Sequence, residues 1–361
     1  MTLADERVRI AIIGLNWGLM MIRQLRSPQN SSHFAVAGVC AAHFDKAQRI
    51  AAEVGTQAYP DLDAVLADDT IDAVGLFVPP DIRADMLQKT IAAGKNIITT
   101  KPLDVDPDRG LAMLLEARRR GRVLHLNSPH PILAPDLAQI RRWESEHDLG
   151  RMVACRGEMW APYHEAADGS WYDDPERAPG APIFRLGIYP LTDIVELYGL
   201  PETVYLQQSR IRTGRPTADN AQIAMQYASG ALGTIFTSLC VADGQPRRSG
   251  LVLNYERGTI YRNVGLSERP SSRDLVRLEL TTCPDEKDRI VQTAEITGGS
   301  GTYNWELFYR AARGEKIEGE IEPEDVVASL RVIEAMGRSE RSGLPERVRP
   351  GAPVASADRR L

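Results

Sequence analysis

Short, unbroken apolar runs alternate, along the first third of the chain, with segments whose apolar residues recur every three or four positions. VRIAIIGL (8–15) is a continuous apolar run ending in glycine, as expected of a strand buried on both faces. WGLMMIRQLRS then carries helical spacing, and FAVAGVC (34–40) reads as a second buried strand. HFDKAQRIAAEVG reads as a helix closed by Gly55, and AVGLFV (73–78) as a third strand ending at Pro79-Pro80. ADMLQKTIAAG is a further helix, KNIIT (95–99) a fourth strand, PDRGLAMLLEARRRG a helix and VLHLN (123–127) a fifth strand. Strands alternating with helices predict an α/β domain, a Rossmann-type doubly wound parallel sheet over residues 1–128.

From LGRMVACRGEMW (149–160) the pattern changes to strict alternation, continued by ETVYLQQSRIR, AQIAMQYAS, ALGTIFTSLCV, GLVLNYERG and LVRLELTT. Runs of this kind predict a large, mostly antiparallel open sheet in a second, α+β domain over 129–345, followed by a polar tail at 346–361. Between the first two of these strands lies GSWYDDPERAPGAPIFRLGIYPLTDIVELYG (169–199), whose Gly, Pro and Asp predict a long pocket-shaping loop. A helix is expected from about Arg185, with Pro190 in its first turn. Spaced by four, Arg185, Tyr189 and Asp193 would share one face of it.

Composition narrows the function classes. A net charge of −6 leaves no nucleic-acid footprint, and EARRRGR (116–122) reads as the solvated C-terminus of a helix. No apolar stretch reaches membrane-spanning length, and the N-terminus lacks the charge pattern of a signal peptide. Cys40, Cys155, Cys240 and Cys283 are scattered, which suggests a reducing, cytoplasmic setting and no structural zinc. The six histidines show no metal-ligand spacing, so no metal is expected.

The chemistry is then sought at strand ends. The first strand-to-helix turn, Gly14-Leu15-Asn16-Trp17-Gly18-Leu19, keeps only the first glycine of G-x-G-x-x-G, with Asn16 in the second slot and Gly18 a candidate to re-route the backbone. Where an acid would grip the ribose stand Ala41, Ala42 and His43, which leans the reading towards NADP over NAD, with His43 as a partial phosphate partner. The strand at 95–99 leads into Thr100-Lys101-Pro102, and the proline biases Lys101 to extended geometry.

Together these segments resemble the Gfo/Idh/MocA family (glucose–fructose oxidoreductase and inositol dehydrogenase relatives). The resemblance runs from RIAIIGLNWG through FVPPDIRADM, AAGKNIITTKPLDVD, DLGRMVACRGEMW and FRLGIYPLTDIVELYG to the C-terminal helical segment YNWELFYRAARGEKIEGEIEPEDVVASLRVIEAMGRSERSG. It implies that Lys101 stands beside the nicotinamide and the substrate, within a Glu-Lys-Pro segment whose glutamate is here Thr100. It places Gly14, Asn16, Trp17, Ala41, His43, Val78, Pro79, Pro80, Lys101 and Asn127 at the cofactor. It implies an Asp/His pair at the positions of Arg185 and Tyr189, so Arg185 is a departure, while tyrosine at the second site has precedent in the family. It also implies a homodimer or homotetramer paired through the C-terminal sheet.

The expected function is hydride transfer between NADP or NAD and a hydroxyl or keto carbon of a sugar, sugar acid, polyol or related small molecule. Such chemistry needs a proton carrier, for which Tyr189 is the first candidate and Lys101 the second. Arg185 is expected to meet an anionic substrate unless it turns outward or pairs with Asp193. Trp160 and Trp171 are substrate-stacking candidates whose competing role is packing. His130 is an alternative acid. The competing function classes are a non-catalytic nucleotide- or sugar-binding regulator on the same scaffold, and redox-assisted elimination or glycoside cleavage.

Overall fold

The computed structural model describes residues 6–264, 275–283 and 287–351. The chain divides into two compact units, the first comprising Met1–Asp104, Arg109–Ile132 and Tyr303–Pro323, and the second Val105–Asp108, Leu133–Thr302 and Glu324–Leu361.

In the first unit, β1 (Val8–Ile13), α1 (Leu15–Leu25), β2 (Phe34–Cys40), α2 (Phe44–Val54), β3 (Gln57–Tyr59), α3 (Leu62–Leu66), β4 (Ala73–Leu76), α4 (Pro80–Ala92), β5 (Asn96–Thr99), α5 (Pro107–Arg119) and β6 (Leu124–His125) follow in order. The sheet is parallel, with strand order β3-β2-β1-β4-β5-β6. The apolar runs are central strands because they are covered on both faces; β4 and β5 are buried throughout. Strand order reverses between β1 and β4, which opens a crevice at their carboxyl ends. Register levels those ends: Ile13 lies opposite Cys40 and Leu76, and Leu76 opposite Thr99. Gly14, Ala41, Phe77 and Thr100 therefore stand along one sheet edge.

Two features depart from the sequence reading. The edge strand β3 is too short for hydrophobic periodicity to reveal. The segment Tyr303–Pro323, placed by its pattern in the domain at 129–345, belongs to the first unit. Its aromatic residues decide this: the rings of Trp305 and Phe308 lie 5.7 and 6.2 Å from that of Phe34 in the core beside β2. Ile321 N–H also donates to the Pro131 carbonyl at 2.9 Å.

The second unit contains α6 (Pro135–Glu146), β7 (Met152–Trp160), α7 (Ile188–Tyr198), β8 (Thr203–Ser209), β9 (Asn220–Gln226), β10 (Leu232–Ser238), β11 (Arg248–Tyr255), β12 (Gly258–Arg262), β13 (Leu275–Thr282), β14 (Ile290–Thr297) and β15 (Glu346–Arg347), with a further helix at Ala328–Ser342. Its nine-stranded sheet has the order β14-β13-β12-β11-β7-β10-β9-β8-β15 and is antiparallel except where β7 and β10 run parallel. Pairing of β15 with β8 brings Glu346 and Arg347, expected to begin a polar tail, into the sheet. One face buries its alternate residues beneath α7 and the Ala328–Ser342 helix. At Gly157 a Cβ would stand 2.9 Å from that of Pro190, so the contact of β7 with α7 requires glycine.

Beneath the sheet, Arg262 of β12 donates to Asp136 of α6 at 2.8 Å and to Asp193 of α7 at 2.5 Å, all three being buried. Ser300 closes the group, its N–H donating to Asp136 at 2.9 Å and its hydroxyl to Asp193. One cation thus ties two helices to the sheet. Losing one member of such a buried set costs about 3–5 kcal/mol, because the remaining charges lose their partner.

Glu196, one turn after Asp193, pays for this concentration of charge. Burial, then the charges of Asp193, Asp136 and Asp325, push its carboxyl up to about 8. Its Oε1 is buried without a hydrogen-bond partner among the described residues. A carboxyl raised on folding stabilises fully only below its unfolded value of about 4.3, and that contribution is lost as pH rises through the folded value. Glu196→Gln is therefore expected to match the parent's melting temperature near pH 4.5 and to exceed it by a margin that grows towards pH 8 and then levels. Thermal unfolding followed by circular dichroism across that range checks this; a constant difference at all pH values would contradict it.

Candidate active site

In the first unit the candidate residues stand around the turn after β1. Gly14 has φ +87°, and a Cβ there would lie 2.4 Å from the Phe77 carbonyl oxygen, so no other residue fits between β1 and the end of β4. Its N–H donates to the Cys40 carbonyl at 3.1 Å, and α1 begins at the next residue. No acid stands in the first turn of α1, leaving its N–H groups and positive dipole end suited to a phosphate. Gly18 does not re-route the turn. It lies within α1, where a Cβ would stand 2.7 Å from Ile12 Cγ2, and so it permits the close helix–strand packing that the third glycine of the motif normally allows.

Asn16 Oδ1 accepts a hydrogen bond of 2.5 Å from Lys46 Nζ. Lys46 was missed by the sequence reading, which stopped at the exposed His43. The helix begins at Phe44, and its first turn returns a cation to the edge that Ala41 and His43 occupy. Trp17 is partly exposed and donates from Nε1 to the Tyr303 hydroxyl at 3.3 Å, while Tyr303 stands edge-on to Phe77 at 5.8 Å. Val78 is buried, and Pro79 and Pro80 form the N-cap and first position of α4.

Lys101 is half-buried just beyond the carboxyl end of β5. Its own N–H donates to Asn127 Oδ1 at 3.2 Å, and the Thr100 hydroxyl donates to the same oxygen at 3.3 Å. Asn127 is fully buried, which fixes that acceptor. From α4, the buried Arg83 donates to the carbonyls of Val78 (2.5 Å), Thr100 (2.9 Å) and Pro102. Burial draws its guanidinium down to about 10. His130 is buried, with Nδ1 3.0 Å from the Ile132 carbonyl.

In the second unit the predicted regular helix from Arg185 is replaced by a π-helical turn, Ile183–Gly187, which leads into α7 at Ile188. Gly187 lies so close to β10 that a Cβ would meet Thr237 Oγ1 at 2.4 Å. Arg185 meets Glu165 of the loop at 161–182, whereas Tyr189 and Asp193 border one small cavity without it. Tyr189 is buried, and it borders a small cavity with Met159, Arg247, Ser249 and Asn263. Asp193 belongs to Arg262 instead.

Arg185 forms a two-pronged pair with Glu165, Nη1 to Oε2 at 2.5 Å and Nη2 to Oε1 at 2.8 Å. It also lies over the rings of Tyr163 and Tyr172, 4.5 and 4.8 Å from their centroids. The Arg185 guanidinium holds the Glu165 carboxyl below its ordinary range. Arg215 also lies 5.3 Å from the Tyr172 ring centroid and donates to Asp173 at 2.5 Å. The expectation of an uncompensated Arg185, met either by a substrate anion or by Asp193, is thereby corrected: the loop supplies its own carboxylate. Trp171 meets Tyr172 and Phe184 edge-on at 5.4 and 6.2 Å. Trp160 donates to Asp243 at 3.2 Å beneath the Arg248 guanidinium. Among the described residues no cluster of His, Cys, Asp or Glu is placed to hold a metal ion.

Comparison with known proteins places this geometry. Residues 8–128 match the oxidoreductase family with an NAD-binding Rossmann fold, and residues 137–261 match the GFO/IDH/MocA C-terminal domain. An uncharacterized oxidoreductase of Schizosaccharomyces pombe is 25% identical over 157 residues, 40% of this chain and only 39% of that protein. The D-xylose 1-dehydrogenase (NADP(+)) 2 of Haloferax volcanii is 26% identical over 321 residues, covering 87% of this chain and 92% of its own. The scyllo-inositol 2-dehydrogenase (NADP(+)) of Bacillus subtilis is 24% identical, over 80% of this chain and 86% of its own. A levoglucosan dehydrogenase, solved with NADH and L-sorbose, superimposes with a TM-score of 0.74 at 17% identity, over 95% of this chain and 99% of that one, and so shares the fold. No helix among the described residues is long and apolar enough to cross a membrane. With both of its domain types matched in order along the sequence, the chain belongs to the Gfo/Idh/MocA family of NAD(P)-binding oxidoreductases.

Proposed function

We propose that the protein is a dehydrogenase or reductase that moves a hydride between NADP or NAD and a CH–OH carbon of a sugar, polyol or related small molecule. The observation that carries this reading is Lys101, anchored by Asn127 just beyond the carboxyl end of a parallel strand. That edge also holds the glycine turn a dinucleotide requires. The fit rests on Gly14, where a Cβ would fill the space, and on the acid-free N-terminus of α1. Those two features would hold the pyrophosphate; Ala41, His43, Val78, Pro79 and Pro80 line the same edge. When bound, the cofactor supplies a carbon that accepts or returns the hydride.

The chain's own residues do the rest. Oxidation of an alcohol needs its hydroxyl proton removed, and a positioned side chain near neutrality does so best. Tyr189 is the carrier we favour, and Lys101 the second. Since Arg185 already has Glu165, its charge does not demand a substrate anion, which favours neutral hydroxylated substrates over sugar acids. Trp160 and Trp171 remain candidates for the pocket wall. Two further elements belong to the proposal: residence in the cytoplasm, supported by four unpaired cysteines, and a homodimer or homotetramer through the uncovered sheet face, where Leu232 is 58% and Val291 50% exposed.

Lys46 gives the cofactor preference a physical basis, because an ammonium beside the ribose edge rewards a 2′-phosphate. Lys46→Ala is expected to weaken NADP binding by about tenfold, the scale of one charge-assisted contact, and NAD binding by far less. Calorimetric titration of both cofactors checks it; equal losses would remove Lys46 from the phosphate site.

The function itself is tested by turnover. Nicotinamide absorbance is followed with a panel of aldoses and inositols as hydride donors. Lys101→Met and Tyr189→Phe are each expected to cut kcat by about two orders of magnitude or more while leaving cofactor affinity near that of the parent. Full activity in Tyr189→Phe with none in Lys101→Met would transfer the proton to Lys101. No turnover of any hydroxylated substrate, despite cofactor binding, would favour a regulator on this scaffold.

A further inference from the structure

We infer that Arg83 is a positioning residue for Lys101, holding the strand-end segment that carries it by gripping the main chain on both sides. This rests on the proposed role of Lys101. Among the described residues, Arg83 Nη1 donates to the carbonyls of Thr100 and Pro102, the residues immediately before and after Lys101. Nη2 donates to the Val78 carbonyl, in the stretch that joins β4 to α4. One guanidinium therefore locks the exits of two adjacent parallel strands together.

The cost of this arrangement argues for a purpose beyond packing. Arg83 is only 2% exposed, and its Nε is buried with no hydrogen-bond partner among the described residues. Burying a cation is expensive unless its donors are used, and an apolar residue of similar volume would fill the space without that penalty. The planar fork does what an apolar residue cannot: it reaches several carbonyls in fixed geometry. Carbonyls beyond a strand's last ladder bond need donors in any case. Here those donors come from one side chain, and they bracket the residue whose amine the chemistry requires.

Around Arg83 stand Asp81 on its own helix, Asp104 beyond β5, itself paired with Arg109 at 2.7 Å, and the Tyr303 hydroxyl. Thr100 adds a hydroxyl and no charge.

Two variants separate grip from charge. Arg83→Lys keeps the charge and loses the fork; Arg83→Gln keeps two donors and loses the charge. Both are expected to bind NADP(H) within about threefold of the parent and to lose kcat by about 30-fold or more, with KM for the hydroxylated substrate little changed. In the chain without cofactor or substrate, reductive methylation with carbon-13 allows Lys101 to be observed by NMR, its signal identified by its loss in Lys101→Met. That signal is expected to move from its parent position in both Arg83 variants. In a Lys101→Met background, neither Arg83 change should cost further activity. The inference is overturned if whichever variant folds keeps the parent kcat and the parent Lys101 signal position while Lys101→Met is inactive. It is equally overturned if the Arg83 loss adds in full to that of Lys101→Met. Undiminished turnover by Lys101→Met would instead sink the functional role of Lys101, and this inference with it.

Discussion

Backbone carbonyls that leave a parallel sheet at its carboxyl edge must find donors, and in this protein Arg83 meets that need on both sides of Lys101. Its bonds to Val78, Thr100 and Pro102, with the bond from Lys101 N–H to Asn127, fix the course of the chain on either side of Lys101. A resemblance to the family leads one to expect a glutamate before the lysine, yet the chain has Thr100. Orientation by a neighbouring anion is replaced by orientation through the main chain. The same edge carries the Gly14 turn, whose lack of a side chain lets β1 and the end of β4 approach closely enough to leave the helix N-terminus open to a phosphate.

In the second unit, buried and half-buried arginines do comparable work with side-chain partners. Arg262 ties α6 and α7 to β12 through Asp136 and Asp193, and Arg185 ties the loop at 161–182 to the turn before α7 through Glu165. The guanidiniums of Arg185 and Arg215 both lie near the Tyr172 ring, so that cation–π attraction and ion pairing hold the same loop. Tyr189 follows this tethered turn.

Much of this was legible in the sequence because it rests on local pattern. Buried strands wrote themselves as β-branched runs, the sheet's alternation marked the second unit, and Gly14, Lys101 and Pro80 fell where strand ends predicted them. What escaped depended on contacts between residues far apart in sequence. Glu165 and Arg185 are twenty positions apart, and nothing in either neighbourhood names the other. Lys46 stands one helical turn beyond His43, where the ribose edge ends in the sequence. Arg83 did leave a signal: with Pro80, Leu87 and Ile91 it occupies the buried face of α4, so it is a cation on an apolar stripe. Arg262, inward with Ile260 on β12, is the same signal in a strand. The short edge strand β3 and the return of Tyr303–Pro323 to the first unit left no comparable trace, since one is too brief and the other is decided by aromatic packing against Phe34.

The central claim is that a hydride passes directly between a hydroxyl-bearing carbon and the nicotinamide. It is tested most directly by supplying an aldose or inositol deuterated at its carbinol carbons, together with oxidised NADP, and examining the reduced cofactor by mass spectrometry. The account predicts one deuterium at the nicotinamide C4 position per turnover, delivered to a single face. Reduced cofactor without deuterium, or consumption of the sugar with no reduced cofactor formed, would contradict it.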